Sequence, residues 1–242
     1  MKKGRVQKER IAMQELNKLD TLREIIDRGQ YIVALCGSGM MEECGIYPLK
    51  EQERAYRIEE RYGRSPEYLY TDAFFNTRTE MFYDFYKHEI LADLEPSAST
   101  YALAAMERAG KLKCIISSNI YELSERSGCK NVINLHGSIY HNHCQRCGKT
   151  YSVDYIRQAK KVPCCEVCGG VIRPDVSFFG EMLDSEKLSR TLEEIEKSDV
   201  LLLLGTSLSS EVFHNYIKCF EGSKIVLIHN EETLLDEKAD LL

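Results

Sequence analysis

The sequence has no long apolar run and no excess of basic residues, and each absence excludes a class of function. The longest aliphatic run, VLLLL at 200–204, is far too short to cross a bilayer, and no apolar segment follows the basic start MKKGRVQKER. The net charge of −6 does not supply the Lys/Arg excess that phosphate neutralisation requires. We therefore expect a soluble, cytoplasmic protein that binds neither nucleic acid nor membrane.

Internal repeats, low-complexity tracts and long linkers are also missing. The 242 residues are 43% hydrophobic, which is enough to bury a substantial core. We expect a single domain over residues 1–242.

The ten cysteines are unevenly distributed, and half of them lie between residues 144 and 168. Cys144 and Cys147 form one C-x2-C pair and Cys165 and Cys168 another, a spacing typical of a structural zinc site with four thiolate ligands. Cys164 would give the second pair a wider spacing and is left out of the predicted set. His141 and His143 could in principle replace a thiolate, but we place them outside the ligand set.

Short apolar runs alternate with helical patterns along most of the chain. The runs show little polar alternation, as strands buried on both faces of a parallel sheet do; they cover 31–36, 113–118, 131–135, 200–205 and 224–229. Helical periodicity is present at 6–28, 100–110, 185–198 and 211–222. The alternation predicts a doubly wound α/β sheet of the Rossmann-like type.

Two segments fall outside this alternation. Residues 51–95 are polar, aromatic and helical in pattern, and residues 140–175 hold the cysteine pairs. We predict that both are inserted into the sheet domain, the first as a helical module with the cofactor-loop region and the second as a zinc-binding ribbon.

Each predicted strand is followed by small or polar residues. The five strands are followed by Gly37-Ser38-Gly39, Asn119, His136, Thr206-Ser207 and His229-Asn230. Since the carboxyl ends of parallel strands open onto one crevice, we expect a nucleotide site there. The glycine spacing does not fit the usual dinucleotide fingerprint, because Gly45 comes six residues after Gly39.

Taken in order, these motifs resemble the sirtuin family. The matching stretches are GSG at 37–39 with Gly45-Ile46, Asn119-Ile120, LHGS at 135–138, the cysteine pairs, GGVIRP at 169–174, FGE at 179–181 and GTSL at 205–208. In that family the later Gly-Ile pair of the glycine motif begins a mobile cofactor loop, which accounts for the spacing. The departures indicate a divergent member of bacterial type.

The resemblance implies an enzyme that consumes NAD while deacylating lysine side chains. His136 would be the general base, a role that suits imidazole near neutral pH, and Asn119 would orient the ribose and a water molecule. The resemblance assigns NAD to Gly37, Ser38, Gly39, Gly45, Ile46, Ser118, Asn119, Gly205, Thr206, Ser207, His229 and Asn230. It assigns the acylated peptide, added as a strand, to Val176, Phe178, Phe179, Gly180 and Glu181.

Three departures from the family pattern bear on the chemistry. The cofactor loop reads GIYPLK where the family has GIPDFR, and Tyr121 stands where the family places the aspartate that holds the nicotinamide amide. His229 occupies the position of an adenosine-contacting asparagine. The chain also ends soon after the fifth strand, so a last family element is expected to be missing.

The sequence is therefore compatible with three functions. The first is lysine deacylation with transfer of the acyl group to ADP-ribose and release of nicotinamide. The second is protein ADP-ribosylation or NAD hydrolysis, because altered pockets could redirect the cleaved ribose. The third is a non-catalytic module that binds NAD or ADP-ribose. The acyl group, the target protein and the oligomeric state are not encoded in any motif that we recognise.

Overall fold

The computed structural model of the protein describes residues 2–230, 233 and 236–242, with side chains from Glu15 onward. The strands are β1 Ile32–Cys36, β2 Leu112–Ser117, β3 Val132–Asn134, β4 Gly137–Cys144, β5 Thr150–Tyr151, β6 Ile172–Val176, β7 Val200–Leu204 and β8 Lys224–Ile228. The helices are α1 Lys2–Arg28, α2 Gly39–Glu42, α3 Gln52–Tyr62, α4 Pro66–Leu69, α5 Asp72–Thr77, α6 Thr79–Phe85, α7 Ala98–Arg108, α8 Leu123–Arg126, α9 Val153–Gln158, α10 Ser185–Lys197 and α11 His214–Ile217. A π-helical turn, Tyr86–Ile90, continues α6, and a 3-10 turn covers Asp236–Lys238.

The larger sheet has five parallel strands in the order β3-β2-β1-β7-β8. Strands β1, β2 and β3 progress in one direction, and β7 then returns to the other side of β1. The strand order therefore reverses between β1 and β7, the position at which doubly wound sheets bind ligands. The predicted doubly wound architecture is confirmed.

Both faces of this sheet are buried. Ile32, Ala34 and Cys36 of β1 pack with the end of α1 and with α7, whereas Val33 and Leu35 pack on the other face with α10. All five β1 residues are at most 1% exposed, which explains why the sequence shows an unbroken apolar run there.

A second unit packs beyond the carboxyl edge of the sheet. It combines the antiparallel sheet β5-β4-β6 with helices α3 to α6, and its core is rich in aromatic side chains. Phe178, just after β6, packs against Phe75 and Phe82 of the helices. The division of the chain into a sheet domain with inserted modules at 51–95 and 140–175 remains a prediction.

Two predicted elements differ in extent from the observed ones. The helix expected at 211–222 is reduced to α11, because Val212 and Phe213 form a turn that packs on the sheet, with Phe213 buried and Val212 partly buried. The chain leaves the helix before Cys219. The first helix begins at Lys2, earlier than the periodicity at 6–28 predicts. Within the described ranges, no helix is long and apolar enough to cross a membrane.

Candidate functional site

The turns after β1 and β7 are packed directly on each other. The Gly39 amide donates to the Gly205 carbonyl at 2.9 Å, and a Cβ on Gly37 would lie 2.5 Å from that same oxygen. Gly205 has φ of +57°, where a Cβ would lie 2.5 Å from the Met40 amide nitrogen. The glycines are therefore required by contact between the two turns, whatever ligand lies over them.

A cavity of about 630 Å³ opens beside these turns at the carboxyl edge of the sheet. It brings together most of the residues predicted for the site: Gly37, Ser38, Ile46, Ser118, Asn119, His136, Phe178, Phe179, Gly180, Glu181 and Thr206. A cavity of this volume is in the range that encloses small-molecule ligands.

Asn119 is fixed within its own loop. It is 3% exposed, its amide nitrogen donates to Ser117 Oγ at 2.6 Å, and its Oδ1 accepts from the Tyr121 amide at 3.0 Å. A side-chain amide offers two donors and an acceptor with two lone pairs, so one donor and one acceptor position remain for a ligand. The side chain is thus oriented before a ligand arrives.

His136 follows β3 by two residues and lines the same cavity. Its carbonyl accepts from the Ser177 amide at 2.9 Å, which ties the segment after β3 to the segment after β6. Burial, and secondarily the positive charge of Lys187, lower the pKa of His136 below its usual value. The imidazole is therefore neutral at pH 7 and able to accept a proton.

The segment after β6 lies along the cavity, and its charged side chain, Glu181, is hydrogen-bonded within the protein. Glu181 accepts from Arg173 at 2.6 Å and from the Phe178 amide at 2.8 Å. The Phe179 amide donates to the Tyr70 carbonyl at 2.8 Å. Glu181 therefore shapes this segment, although it also lines the cavity.

The loop from Gly45 to Lys50 covers the cavity from the other side. Gly45 has φ of +85° with no atom within 4 Å of a Cβ there, so its requirement for glycine is conformational alone. Lys50 pairs with Glu211 at 3.3 Å, and its ammonium lies 5.6 Å from the centroid of the Phe179 ring. One side chain thus joins three segments around the opening.

Several predicted site residues lie beside the cavity rather than in its wall. Ser207 follows β7, where its hydroxyl is 3.1 Å from that of Ser209. His229 follows β8, and its Nε2 lies 3.3 Å from the carboxylate of Asp236. The others outside the wall are Gly39, Gly45, Val176, Gly205 and Asn230. His229 and Asn230 nevertheless lie at the carboxyl edge, since the Gly205 amide bonds to the last carbonyl of β8.

The four cysteines of the two pairs form one cluster, with all sulfur atoms within 4.8 Å of one another. The Tyr151 hydroxyl donates to Cys165 at 3.1 Å, and this bond, together with the backbone amides of Val167 and Cys168, lowers the pKa of that thiol to about 6. Four thiols in this arrangement fit the tetrahedral structural zinc that the spacing predicts.

The neighbours that were left out of the ligand set lie elsewhere. His141 reaches Glu122 at 3.0 Å, His143 pairs with Asp175, and the Cys164 thiol bonds to the Val162 carbonyl at 3.6 Å. None of the three belongs to the cluster that the described residues form.

Sequence reasoning missed three charged residues in the cavity wall, Lys50, Glu211 and Arg54, of which Arg54 is the most buried. Arg54 of α3 is only 8% exposed, and its guanidinium donates to the carbonyls of Tyr47 and Glu89. Arg54 belongs to α3, an amphipathic helix whose other charged side chains are mostly exposed. The local sequence pattern therefore does not distinguish Arg54 from the exposed Arg57. A motif-based reading could not have found it.

Comparison with known proteins gives consistent results. A model of the Sir2 family matches residues 37–212. An NAD-dependent protein deacetylase of Clostridium acetobutylicum is 35% identical over 229 residues, which cover 94% of each chain. Another from Clostridium tetani is 38% identical over 223 residues, covering 91% of this chain and 90% of its own.

Solved structures agree with these relatives. A structure from work on sirtuin substrate affinity is 28% identical and superposes with a TM-score of 0.83, covering 91% of each chain. A Sir2 protein with a p53 peptide and NAD+ is 28% identical with a TM-score of 0.76, covering 91% of this chain and 90% of its own.

Proposed function

Because the chain belongs to the Sir2 family, we propose that it is an NAD-dependent protein lysine deacylase, which transfers the acyl group to ADP-ribose and releases nicotinamide. The observation that carries the proposal is the shared cavity. Its wall contains His136, Asn119, the turn at Gly37-Ser38 and the segment from Phe178 to Glu181. The proposed base, the turn proposed for the nucleotide and the segment proposed for the peptide therefore line one cavity.

His136 is proposed as the general base. In the reaction that the family resemblance implies, the acyl oxygen attacks the ribose carbon as the bond to nicotinamide breaks, and a ribose hydroxyl then loses its proton. The lowered pKa of His136 keeps the imidazole in the form that accepts this proton. Removing a positioned base of this kind costs about 100-fold to 10,000-fold in rate.

The remaining predicted nucleotide residues are proposed to bind NAD in two groups. Ser38, Thr206 and the free amide positions of Asn119 line the cavity and can hydrogen-bond to phosphate and ribose. Ser207, His229 and Asn230 lie farther along the carboxyl edge, where the adenosine end is proposed to bind.

The peptide is proposed to add beside the segment that follows β6. Among the described residues the amides of Ser177, Phe178, Phe179 and Glu181 have acceptors within the protein, whereas the Gly180 amide has none. The Gly180 amide is therefore the donor in this segment that can bind an incoming strand. The related structures that hold acetylated or p53 peptides support a peptide partner.

The zinc is proposed to be structural. The four cysteines would hold it with no open position for substrate, and the cluster would fix β4 to the β6 side of the ribbon. Cysteine pairs that bind metal are typical of cytosolic proteins, and we retain the prediction that the protein is cytoplasmic. We retain the prediction that it binds neither nucleic acid nor membrane.

One observation favours a second candidate, protein ADP-ribosylation or NAD hydrolysis. Tyr121 donates its hydroxyl to the Ile90 carbonyl at 2.9 Å, and burial raises its pKa to about 12. A neutral hydroxyl that is already bonded does not replace the carboxylate that the family places there. Weaker retention of nicotinamide would leave the activated ribose open to other acceptors.

The proposal is tested by incubating the protein with NAD and an acetyl-lysine peptide while following nicotinamide release and peptide deacetylation. We expect His136→Ala to lower turnover by about 100-fold or more with little loss of ADP-ribose affinity. His88→Ala is the matched control, since His88 is exposed and lies outside the cavity. Equal turnover in His136→Ala and His88→Ala would reject the proposed role of His136.

A further inference from the structure

A second cavity lies outside the candidate site, between helices α5 and α6 on one side and the segment after α9 on the other. It is a groove of about 940 Å³ lined by residues 77–81, Tyr83, Asp84, Lys87, His88 and residues 159–162. It shares no lining residue with the cavity at the carboxyl edge of the sheet. The deacylase function therefore leaves this groove without a role.

Hydrogen bonds across the groove hold its walls together. Lys87 lies on the π-helical turn, and its ammonium donates to the carbonyls of Ala159 and Lys161, the second at 3.0 Å. The hydroxyl of Tyr83, on α6, donates to the Ile172 carbonyl of β6. Because these bonds join the helices to the ribbon side, the groove is formed before any partner binds.

The groove carries more positive than negative charge, although the whole chain has a net charge of −6. Its four cationic side chains are Arg78, Lys87, Lys160 and Lys161. Glu80 pairs with Lys161 at 3.3 Å, and Asp84 lies 3.7 Å from the guanidinium of Arg61. Arg78 and Lys160 are both exposed, and among the described residues neither has a carboxylate within ion-pair distance. These two cations are therefore free to bind the carboxylates of a partner.

Apolar side chains line the groove between these charges. Met81 is 45% exposed, and Ala159 and Val162 are partly buried. An exposed methionine near an arginine is typical of protein–protein interfaces, in which both residue types are enriched. Nucleic acid fits less well, because the carboxylates of the groove would repel its phosphates. Its bases would also find no ring to stack on, since Tyr83 is only 1% exposed.

The groove and the segment proposed for the peptide lie on different sides of α5 and α6. On the inner side, Phe75 and Phe82 pack against Phe178, with ring centroids 5.6 and 5.2 Å apart. On the outer side, Arg78 and Asp84 line the groove. A helix with its side chains is about 10 Å across, whereas a standard interface covers about 800 Å² on each partner, a patch about 30 Å wide. One bound protein can therefore reach the groove while its lysine occupies the cavity.

We propose that this groove binds an acidic segment of the protein substrate, with carboxylates on Arg78 and Lys160 and an apolar side chain on Met81. The identity of the partner as the substrate rests on the proposed function. The groove then selects among acylated proteins by a segment that is distant from the lysine, and it adds affinity without altering the chemistry in the cavity.

Binding is measured without turnover, by fluorescence anisotropy in the absence of NAD. The probe is a short labelled peptide that is rich in Asp, Glu and Leu and lacks lysine. The controls are a peptide in which Gln replaces the acidic residues and a single-stranded oligonucleotide. We expect only the acidic peptide to bind, with an affinity that falls as the salt concentration rises.

Charge reversal assigns the binding to the groove. Arg78→Glu combined with Lys160→Glu should weaken binding of the acidic peptide about 10-fold, because two attractive contacts become repulsive. The matched control is Lys18→Glu combined with Lys130→Glu, which changes the net charge equally at exposed positions outside the groove and should alter binding less than about 2-fold. If the first double variant does not fold, Lys160→Glu alone tests the same claim, with an expected loss of about 3-fold.

Turnover then connects the groove to the substrate. Two acetyl-lysine peptides are compared at saturating NAD, one joined to the acidic segment through a flexible Gly/Ser linker and one carrying the linker alone. The acidic segment should lower KM about 10-fold at unchanged kcat, because tethering raises the effective concentration of the lysine. Arg78→Glu combined with Lys160→Glu should remove this difference.

Three results would overturn the inference: no binding of the acidic peptide to the unmodified protein, equal binding of the oligonucleotide, or binding that charge reversal in the groove leaves unchanged. Equal KM values for the two acetyl-lysine peptides would overturn the assignment of the partner as substrate. Anisotropy needs no turnover, so binding of the acidic peptide by a protein that does not deacetylate would reject the proposed function alone. Deacetylation without binding of the acidic peptide would reject the inference alone.

Discussion

Replacing Gly205 by alanine should destabilise the protein strongly, because the new Cβ meets backbone atoms on the facing turn. The closest are the Met40 nitrogen at 2.5 Å and the Gly39 carbonyl carbon at 2.7 Å, neither of which can move as a side chain does. Overpacking costs about 1–3 kcal/mol. The left-handed backbone at φ +57° adds about 1–2 kcal/mol for a residue with a Cβ.

Gly45→Ala is the matched comparison. It has a similar conformational cost at φ +85°, about 1–2 kcal/mol, but no atom lies within 4 Å of its Cβ. Urea denaturation of both variants should therefore show a larger loss of unfolding free energy for Gly205→Ala, by about 1–3 kcal/mol, with little change in the denaturant slope.

Gly37→Ala gives a second measurement of the packing cost. Its Cβ would lie 2.5 Å from the Gly205 oxygen without a left-handed backbone at Gly37, so the loss should again be about 1–3 kcal/mol. The reasoning is refuted if Gly205→Ala is no less stable than Gly45→Ala, or if Gly37→Ala is as stable as the unmodified protein. That result would assign the glycines to ligand approach alone.

Two further predictions concern the metal and the base. Purified protein should contain one zinc per chain by atomic absorption. Cys165→Ser should lose the metal and unfold at lower urea concentration, whereas Cys164→Ser should keep the metal and the stability of the unmodified protein. Zinc-free protein purified without chelator would contradict this prediction. The rate of peptide deacetylation should rise with pH through a midpoint below the ordinary histidine value of about 6.5, because the base acts in its neutral form and the pKa of His136 is lowered. Lys187→Met removes a positive neighbour and should move that midpoint upward, so an unchanged or lower midpoint in the pH–rate profile would refute the assignment.

The strands and the metal cluster were predictable from the sequence because their causes are local. Burial on both faces leaves an unbroken apolar run such as 200–204, and two C-x2-C pairs bring four thiols together through short turns. The helix expected at 211–222 failed because packing of Val212 and Phe213 on the sheet overrode the helical pattern.

The interior of the candidate site depends on contacts between distant segments. Arg54 joins the cavity because α3 packs against carbonyls at positions 47 and 89, and Lys50 closes the opening by reaching Glu211. Neither arrangement leaves a periodic or compositional signal. The need for glycine at 37 likewise depends on a turn that lies far along the chain, at 205.

The most direct test of the proposed chemistry is a mass balance of products by mass spectrometry after incubation with NAD and an acetyl-lysine peptide. The account predicts that nicotinamide, deacetylated peptide and O-acetyl-ADP-ribose form in equal amounts. Nicotinamide released together with free or protein-bound ADP-ribose, and with the peptide still acetylated, would contradict deacylation and support the redirected chemistry instead.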